Sequence, residues 1–278
     1  ISIVDDTPGD NTINATTTFS VAGVSLTRAT NVDAGPDGSD GAEKTYVAGK
    51  IIVEKQTLPN GSSQSFEFDT SYGSNFFLTD GQQNESVFLP LGTYSVDELT
   101  PGGWDKTSAI CSDQSPATAI EVSAGETVTC VFTNTQRGHI IVDKVTNPSG
   151  DQQLFNFNTV GVGYTVFSLT DTADPNNQEV VPGAYSASEG AIAGWDSDGG
   201  VCDSDETPAS LDVESGETVT CTFTNTKRGH ITIEKQTLPD GDTADFTFTG
   251  DVAGVLSDGD IATEEVIPGV YDSTEAVL

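Results

Sequence analysis

Gly49–Gly61 reads GKIIVEKQTLPNG, and the same segment returns as GHIIVDKVTNPSG at Gly138–Gly150 and as GHITIEKQTLPDG at Gly229–Gly241. A segment that recurs about every 90 residues marks whole structural units in tandem. Inside it Ile and Val alternate with polar residues until a Pro and a Gly end the run. That is a half-buried strand entering a turn. Further along each unit GTYSVDELTPGGW (Gly92–Trp104) returns as GAYSASEGAIAGW (Gly183–Trp195), and GETVTCVFTNTQR (Gly125–Arg137) as GETVTCTFTNTKR (Gly216–Arg228). Short runs rich in Val, Ile, Thr, Phe and Tyr, punctuated by Gly, Pro, Asn and Asp at roughly 8–12-residue spacing, predict an all-β chain of tandem β-sandwich domains. No segment holds a helical period.

The chain divides into an amino-terminal strand segment, 1–48, two full repeats, 49–137 and 138–228, and an incomplete third, 229–278. The joints, Thr-Gln-Arg-Gly and Thr-Lys-Arg-Gly, are too short for a loose tether, so a semi-rigid rod is expected. The third unit lacks the Trp, the two Cys and the last strands of the others. Strand-like runs at Thr16–Asn31 and Lys44–Gly49 look complementary to that gap. On one reading, the amino-terminal segment of one subunit completes the third domain of its neighbour, giving a head-to-tail polymer of copies of this chain. On the other, the chain is simply cut short.

Composition narrows the function. Acidic residues outnumber basic ones 43 to 10, a net charge of −33 that repels nucleic-acid phosphate and anionic lipid. No run is long and apolar enough to insert in a bilayer. With no Met at all and no signal-like start, the chain reads as a mature or excised piece of a larger precursor. Leu, Ile, Val and Phe make up roughly 23% of the residues, above the ~20% floor expected of a foldable chain at this charge.

The four Cys fall as Cys111 with Cys130 and Cys202 with Cys221, one pair per full repeat at the same spacing. His139 and His230 sit at the joints, away from them, so the pattern points to disulfides rather than a metal site, and to an oxidising, extracellular or cell-surface location. Free buried thiols are the alternative.

Strand alternation places three polar residues on the apolar face. Lys55 shares a side with Ile51 and Val53, Lys144 with Ile140 and Val142, and Lys235 with Ile231 and Ile233. Glu98 follows Tyr94 and Val96, Glu189 follows Tyr185 and Ala187, and Glu275 follows Tyr271 and Ser273. Asn134 follows Val128, Cys130 and Phe132; Asn225 follows Val219, Cys221 and Phe223. Buried without partners, such groups cost several kcal/mol each. Desolvation favours a neutral amine beside a protonated carboxyl, which is a nucleophile next to a proton donor. The amine could then attack the Asn carbonyl, lose ammonia and leave a Lys–Asn isopeptide bond. Alternatively the Lys snorkels past the sheet edge, the Glu pairs with it and the Asn caps the strand. The third repeat has no Asn of its own; Asn31 of a neighbour is the visible candidate.

At IIVEKQT, at YSVDE followed by Pro101-Gly102-Gly103-Trp104, and at FTNT, the sequence resembles the collagen-adhesin B-type and SpaA-like prealbumin-fold repeats of microbial surface proteins. The resemblance covers Gly49–Leu278. It implies immunoglobulin-like or prealbumin-like sandwich domains serving as a stalk or fibre segment, in many members with an internal isopeptide bond. The Cys pairs are a departure from many of those members.

Other candidates are weaker. Asp33, Asp37 and Asp40, and Asp196, Asp198, Asp203 and Asp205, are conceivable Ca²⁺ ligands or simply solvated loops. Asn14, Asn60 and Asn84 begin glycosylation sequons. Trp104 and Trp195 hold matching positions, which favours packing. No nucleophile–base pair, phosphate loop or metal motif nominates an enzyme, and no cofactor is called for. The sequence therefore predicts a structural subunit of an extracellular filament or stalk, with a surface adhesin presenting a ligand-binding region as the alternative.

Overall fold

The alternating Ile-Val-Lys run of the first repeat becomes the 11-residue strand Ala48–Leu58, whose inward residues Ile51, Val53, Lys55 and Thr57 are all buried. Its outward residues alternate with them, as a pleated strand with one face on a core requires. The computed structural model describes residues 9–13, 16–21, 24–29, 42–46 and 48–276, in two units, Ile1–Gln136 and Arg137–Leu278. Every regular element among the described residues is a strand, and no helix is long and apolar enough to cross a membrane.

In the first unit the lysine strand Ala48–Leu58 lies parallel to the asparagine strand Thr127–Gln136, with Lys55 opposite Phe132 and Thr57 opposite Asn134. Parallel neighbours cannot be joined by a hairpin. Here nearly the whole repeat forms the connection, so its first and last strands end up side by side. The asparagine strand pairs on its other edge with the tryptophan strand Trp104–Cys111, whose register shifts between Lys106 and Ser108. The lysine strand pairs on its other edge with Gln83–Glu85. A second sheet contains the glutamate strand Val96–Leu99, Phe66–Thr70 and Phe76–Leu78. Ile51, Val53, Phe66, Phe68, Val96, Val128 and Phe132 close the core between the layers.

The second unit repeats this plan. Gly138–Asn147 runs parallel to Thr218–Lys227, with Lys144 opposite Phe223 and Thr146 opposite Asn225, and Trp195–Cys202 flanks the latter. Gly183–Glu189 carries the glutamate in the facing sheet.

The third repeat, in the same unit, is open. Its lysine-bearing strand Gly229–Glu234 pairs with Ile261–Val266, and Phe246–Gly250 pairs with Gly254–Leu256 and Ser273–Glu275. Among the described residues no strand flanks the other edge of Gly229–Glu234. Three equivalent glycines display the gap. A Cβ on Gly49 or Gly138 would press into Val122 or Val213 at 2.5 or 2.4 Å, whereas one on Gly229 would meet nothing within 4 Å. Val252 and Leu256 are the buried apolar residues of this repeat.

Near the amino terminus the long run expected over Thr16–Asn31 is two strands, Thr16–Val21 and Val24–Ala29, paired as a hairpin, and Gly9–Ile13 pairs with Ala42–Tyr46. A β-hairpin satisfies its own ladder, which a single continuous strand could not.

Candidate crosslink sites

The residues that alternation turned inward do meet. Lys55 is fully buried, and its Nζ donates to Asn134 Oδ1 at 2.9 Å, to the carbonyl of Gln56 at 2.8 Å and to that of Phe132 at 3.2 Å. Glu98 Oε1 lies 3.4 Å from the amine. The second repeat reproduces the set. Lys144 Nζ donates to Asn225 Oδ1 at 2.9 Å, to Val145 O at 2.8 Å and to Phe223 O at 3.1 Å, with Glu189 Oε1 at 3.5 Å. The parallel pairing of first and last strands produces the contact, because it sets Lys and Asn two positions apart on one inward face.

An aromatic floor completes each site. Phe66 lies under Lys55 Nζ at 4.2 Å, and Phe155 lies under Lys144 Nζ at 4.3 Å. Trp104 and Trp195 meet these rings edge-on with centroids 5.3 Å apart, so the tryptophans are packing residues here.

Burial dominates the electrostatics. It pulls the Lys55 amine below the usual lysine range, against Glu98 and Asp80, which favour the charged form. It pushes the Glu98 carboxyl up, against the pull of Lys55. Lys144 is lowered for the same reason, against Glu189. In the first repeat these directions favour an uncharged amine facing a protonated acid. Neither oxygen of Glu98 nor Nδ2 of Asn134 makes a hydrogen bond of good geometry, and the same holds for Glu189 Oε1. Such buried orphans cost roughly 1–3 kcal/mol each. Nδ2 of Asn134 is the atom that would leave as ammonia, so reaction would remove one of them. The lysines do not snorkel, since both side chains are 0% exposed.

In the third repeat Lys235 donates to both oxygens of Glu275, at 3.1 and 3.2 Å, with Phe246 beneath it at 3.9 Å. Asn31 lies outside the described residues, as do Asn14, Asp33, Asp37 and Asp40.

Both disulfides are formed, Cys111–Cys130 and Cys202–Cys221, each between directly opposed residues of the tryptophan and asparagine strands. The remaining acidic candidates do not assemble. Asp196 is paired with Arg228, Asp203 accepts the Thr220 amide and Asp198 accepts the Thr226 hydroxyl. Among the described residues no group of three or more His, Cys, Asp or Glu is placed to hold a metal ion. Asn60 is exposed in the turn after the lysine strand, and Asn84 is half-buried in Gln83–Glu85.

One element escaped sequence reading. Asp80 Oδ1 accepts the Thr57 amide at 2.6 Å and Oδ2 the Gly61 amide at 2.7 Å. Asp171 accepts the amides of Thr146 and Gly150, and Asp258 those of Thr237 and Gly241. A short signature, Leu-Thr-Asp at 78–80 and 169–171 and Leu-Ser-Asp at 256–258, could have found it.

Residues 140–223, within the second repeat, match the model of the SpaA_2 family, described as a prealbumin-like fold domain, in line with the resemblance drawn from the sequence. None of the curated proteins matches. Among solved structures, the chain is similar to the Bacillus anthracis TIE protein at 22% identity and a TM-score of 0.37, over 97% of this chain and 53% of that one. It thus spans about half of that protein's chain. It is similar to the major pilin protein (T-13) of Streptococcus pyogenes at 13% identity and TM-score 0.29, over 65% and 98% of the two chains. For the shaft pilin spaA of Lactobacillus rhamnosus GG the values are 11% and 0.26, over 66% and 98%.

Proposed function

We propose that this chain is a structural subunit of an extracellular filament or cell-surface stalk whose complete repeats lock themselves with Lys–Asn isopeptide bonds. The buried Lys–Glu–Asn set carries this reading. Lys55 Nζ attacks Asn134 Cγ, forming the C–N bond, while protonated Glu98 polarises Oδ1. The carboxyl relays the proton released by the amine, the Cγ–Nδ2 bond breaks, and ammonia leaves. In the second repeat Lys144 Nζ attacks Asn225 Cγ in the same way, with Glu189 beside the amine.

The geometry supports a load-bearing role. The chain enters each repeat along the lysine strand and leaves along its parallel neighbour, so a bond between Lys55 and Asn134 joins the entering segment directly to the leaving one. Tension then passes through covalent bonds instead of shearing the ladder of hydrogen bonds. Non-enzymatic structural work suits such a site, since each amine is consumed once.

In this reading assembly proceeds by strand addition at the edge of Gly229–Glu234 that no described strand covers, where a strand of another copy brings an asparagine to Lys235, with Asn31 the candidate. The charge of −33 makes copies repel, so association depends on a specific edge.

Intact mass tests the chemistry: after allowing for the disulfides, two internal bonds lower the mass by ~34 Da, ~17 Da each. A full mass overturns the crosslink. Electron microscopy and boiling under reducing conditions test assembly, with fibres and a covalent ladder expected. A single monomer band refutes the covalent joint, and monomers that bind matrix material favour an adhesin.

A further inference from the structure

We propose that Asp80 and Asp171 are positioning residues for the crosslinking lysines, each holding the end of its lysine strand so that the amine stays aimed at the asparagine, and that Asp258 holds the end of the Lys235 strand in the same way. The proposal rests on the crosslink reading above. The same construction occurs three times. Each aspartate belongs to a turn after a short strand of the facing sheet, and its two oxygens take amides on either side of a Pro. Asp80 grips Thr57 and Gly61 around Pro59. Asp171 grips Thr146 at 2.7 Å and Gly150 around Pro148, and Asp258 grips Thr237 at 2.6 Å and Gly241 at 2.7 Å around Pro239.

The turn also holds the lysine's own backbone. Gly81 donates to the carbonyl of Lys55 at 2.8 Å, and Lys55 donates to that of Gln82 at 3.0 Å. In the third repeat Gly259 donates to Lys235 at 2.7 Å, and Lys235 to Asp260 at 3.0 Å. In the second, the Lys144 amide turns instead to the Asp143 carboxylate at 2.9 Å, which leaves Asp171 as the turn's hold on that strand end. Thr57 is the residue opposite Asn134 across the parallel ladder, and Thr146 is opposite Asn225. Fixing the threonine therefore fixes the strand at the level of the reacting pair. Attack needs the amine within roughly 3–3.5 Å of its target in the right orientation, and a displacement near 1 Å costs about 100-fold.

The charge of the aspartate acts as well. The titratable groups around Lys55 are Glu98 in the facing sheet and Asp80 in the turn, with Lys106 beside Glu98; burial favours the neutral form of Glu98, whereas the Asp80 carboxylate favours the ammonium form of the lysine. Removing that charge makes the amine easier to deprotonate.

The test follows bond formation in newly synthesised full-length chain by intact mass and peptide mapping across pH, with Asp80→Ala and Asp80→Asn. The second repeat serves as internal standard. Bond formation in the first repeat should slow roughly tenfold or more in Asp80→Ala, while the second repeat proceeds unchanged. Asp171→Ala should reverse the pattern and hit harder. In Asp80→Asn the midpoint of the pH–rate profile should move to lower pH, a shift that a purely structural turn would not produce. Wild-type kinetics in Asp80→Ala, with Cys111–Cys130 formed, would overturn the positioning role and leave the crosslink standing. If Asp80→Ala fails to fold, Asp80→Asn decides: an unchanged rate and midpoint overturn the role. A wild-type chain of full mass removes the crosslink and this proposal together.

Discussion

The closed first repeat and the open third repeat carry the same lysine and glutamate in different surroundings. In the closed repeat the amine is 2.9 Å from an asparagine oxygen and 3.4 Å from the Glu98 carboxyl, with both side chains fully buried. In the open one Lys235 is 13% exposed, Glu275 is 38% exposed, and the amine rests on both carboxylate oxygens. With water nearby, an ordinary ion pair is the better arrangement. Covering the site with the asparagine strand withdraws the solvent that stabilises both charges and offers the amine another acceptor. On the crosslink proposal the last strand has two jobs: it brings the electrophile, and by excluding water it favours the neutral, nucleophilic form of the lysine.

The largest effect should come from removing the electrophile. Asn134→Ala should restore ~17 Da to the mass. It should also cost the first repeat about 4–5 kcal/mol in the chain-entropy model for a crosslink spanning 79 residues. Thermal melting with intact-mass analysis checks both, and Asn225→Ala should act equally on the second repeat. If either variant melts like the wild type, the closed and open repeats differ in packing alone.

Disulfides come next. Replacing Cys202 and Cys221 by Ser should cost roughly 3 kcal/mol, less than the crosslink because the closed loop is shorter. The ~17 Da deficit should persist, since Lys144 and Asn225 remain paired across the parallel ladder. Loss of the deficit would mean that the disulfide, by pinning the asparagine strand, is needed before the bond can form.

Much of this contrast was legible in the sequence. Alternation alone sent Lys55, Glu98 and Asn134 to one face, because a pleat allows only two sides and the flanking Ile, Val and Phe identify the buried one. Three other features were not legible. Parallel pairing of the first and last strands depends on where the intervening strands go, which no local pattern records. Thr16–Asn31 read as one run because its residues favour strand throughout, yet its described residues form two strands, Thr16–Val21 and Val24–Ala29. Asp80 was hidden by numbers and spacing: it is one of 43 acidic residues, and its distance from the lysine varies between repeats with turn length. The glutamate of the third repeat was assigned an inward position by the same alternation, but a face is buried only when something covers it.

The smallest effect separates the repeats by acid. The amides of Gly150 and Thr146 hold Asp171 below the usual carboxylate range despite the opposing effect of partial burial, and those of Gly241 and Thr237 do so for Asp258. A carboxylate whose folded pKa lies below its unfolded value stabilises the fold above that unfolded value, about 3.9, and the stabilisation disappears as pH falls through the folded pKa. Both turns should therefore loosen only below about pH 4. The second repeat keeps its strand end through the parallel ladder and, on the proposal above, the crosslink, whereas among the described residues Gly229–Glu234 pairs with Ile261–Val266 alone. Amide protection, corrected for the intrinsic exchange rate at each pH, should thus fall below about pH 4 first at Lys235–Gly241 and later at Lys144–Gly150. In Asp258→Asn the protection of the third repeat should no longer depend on pH across this range. Exchange that rises together in both repeats would mean that the aspartates, and not the covering strand, set the acid limit.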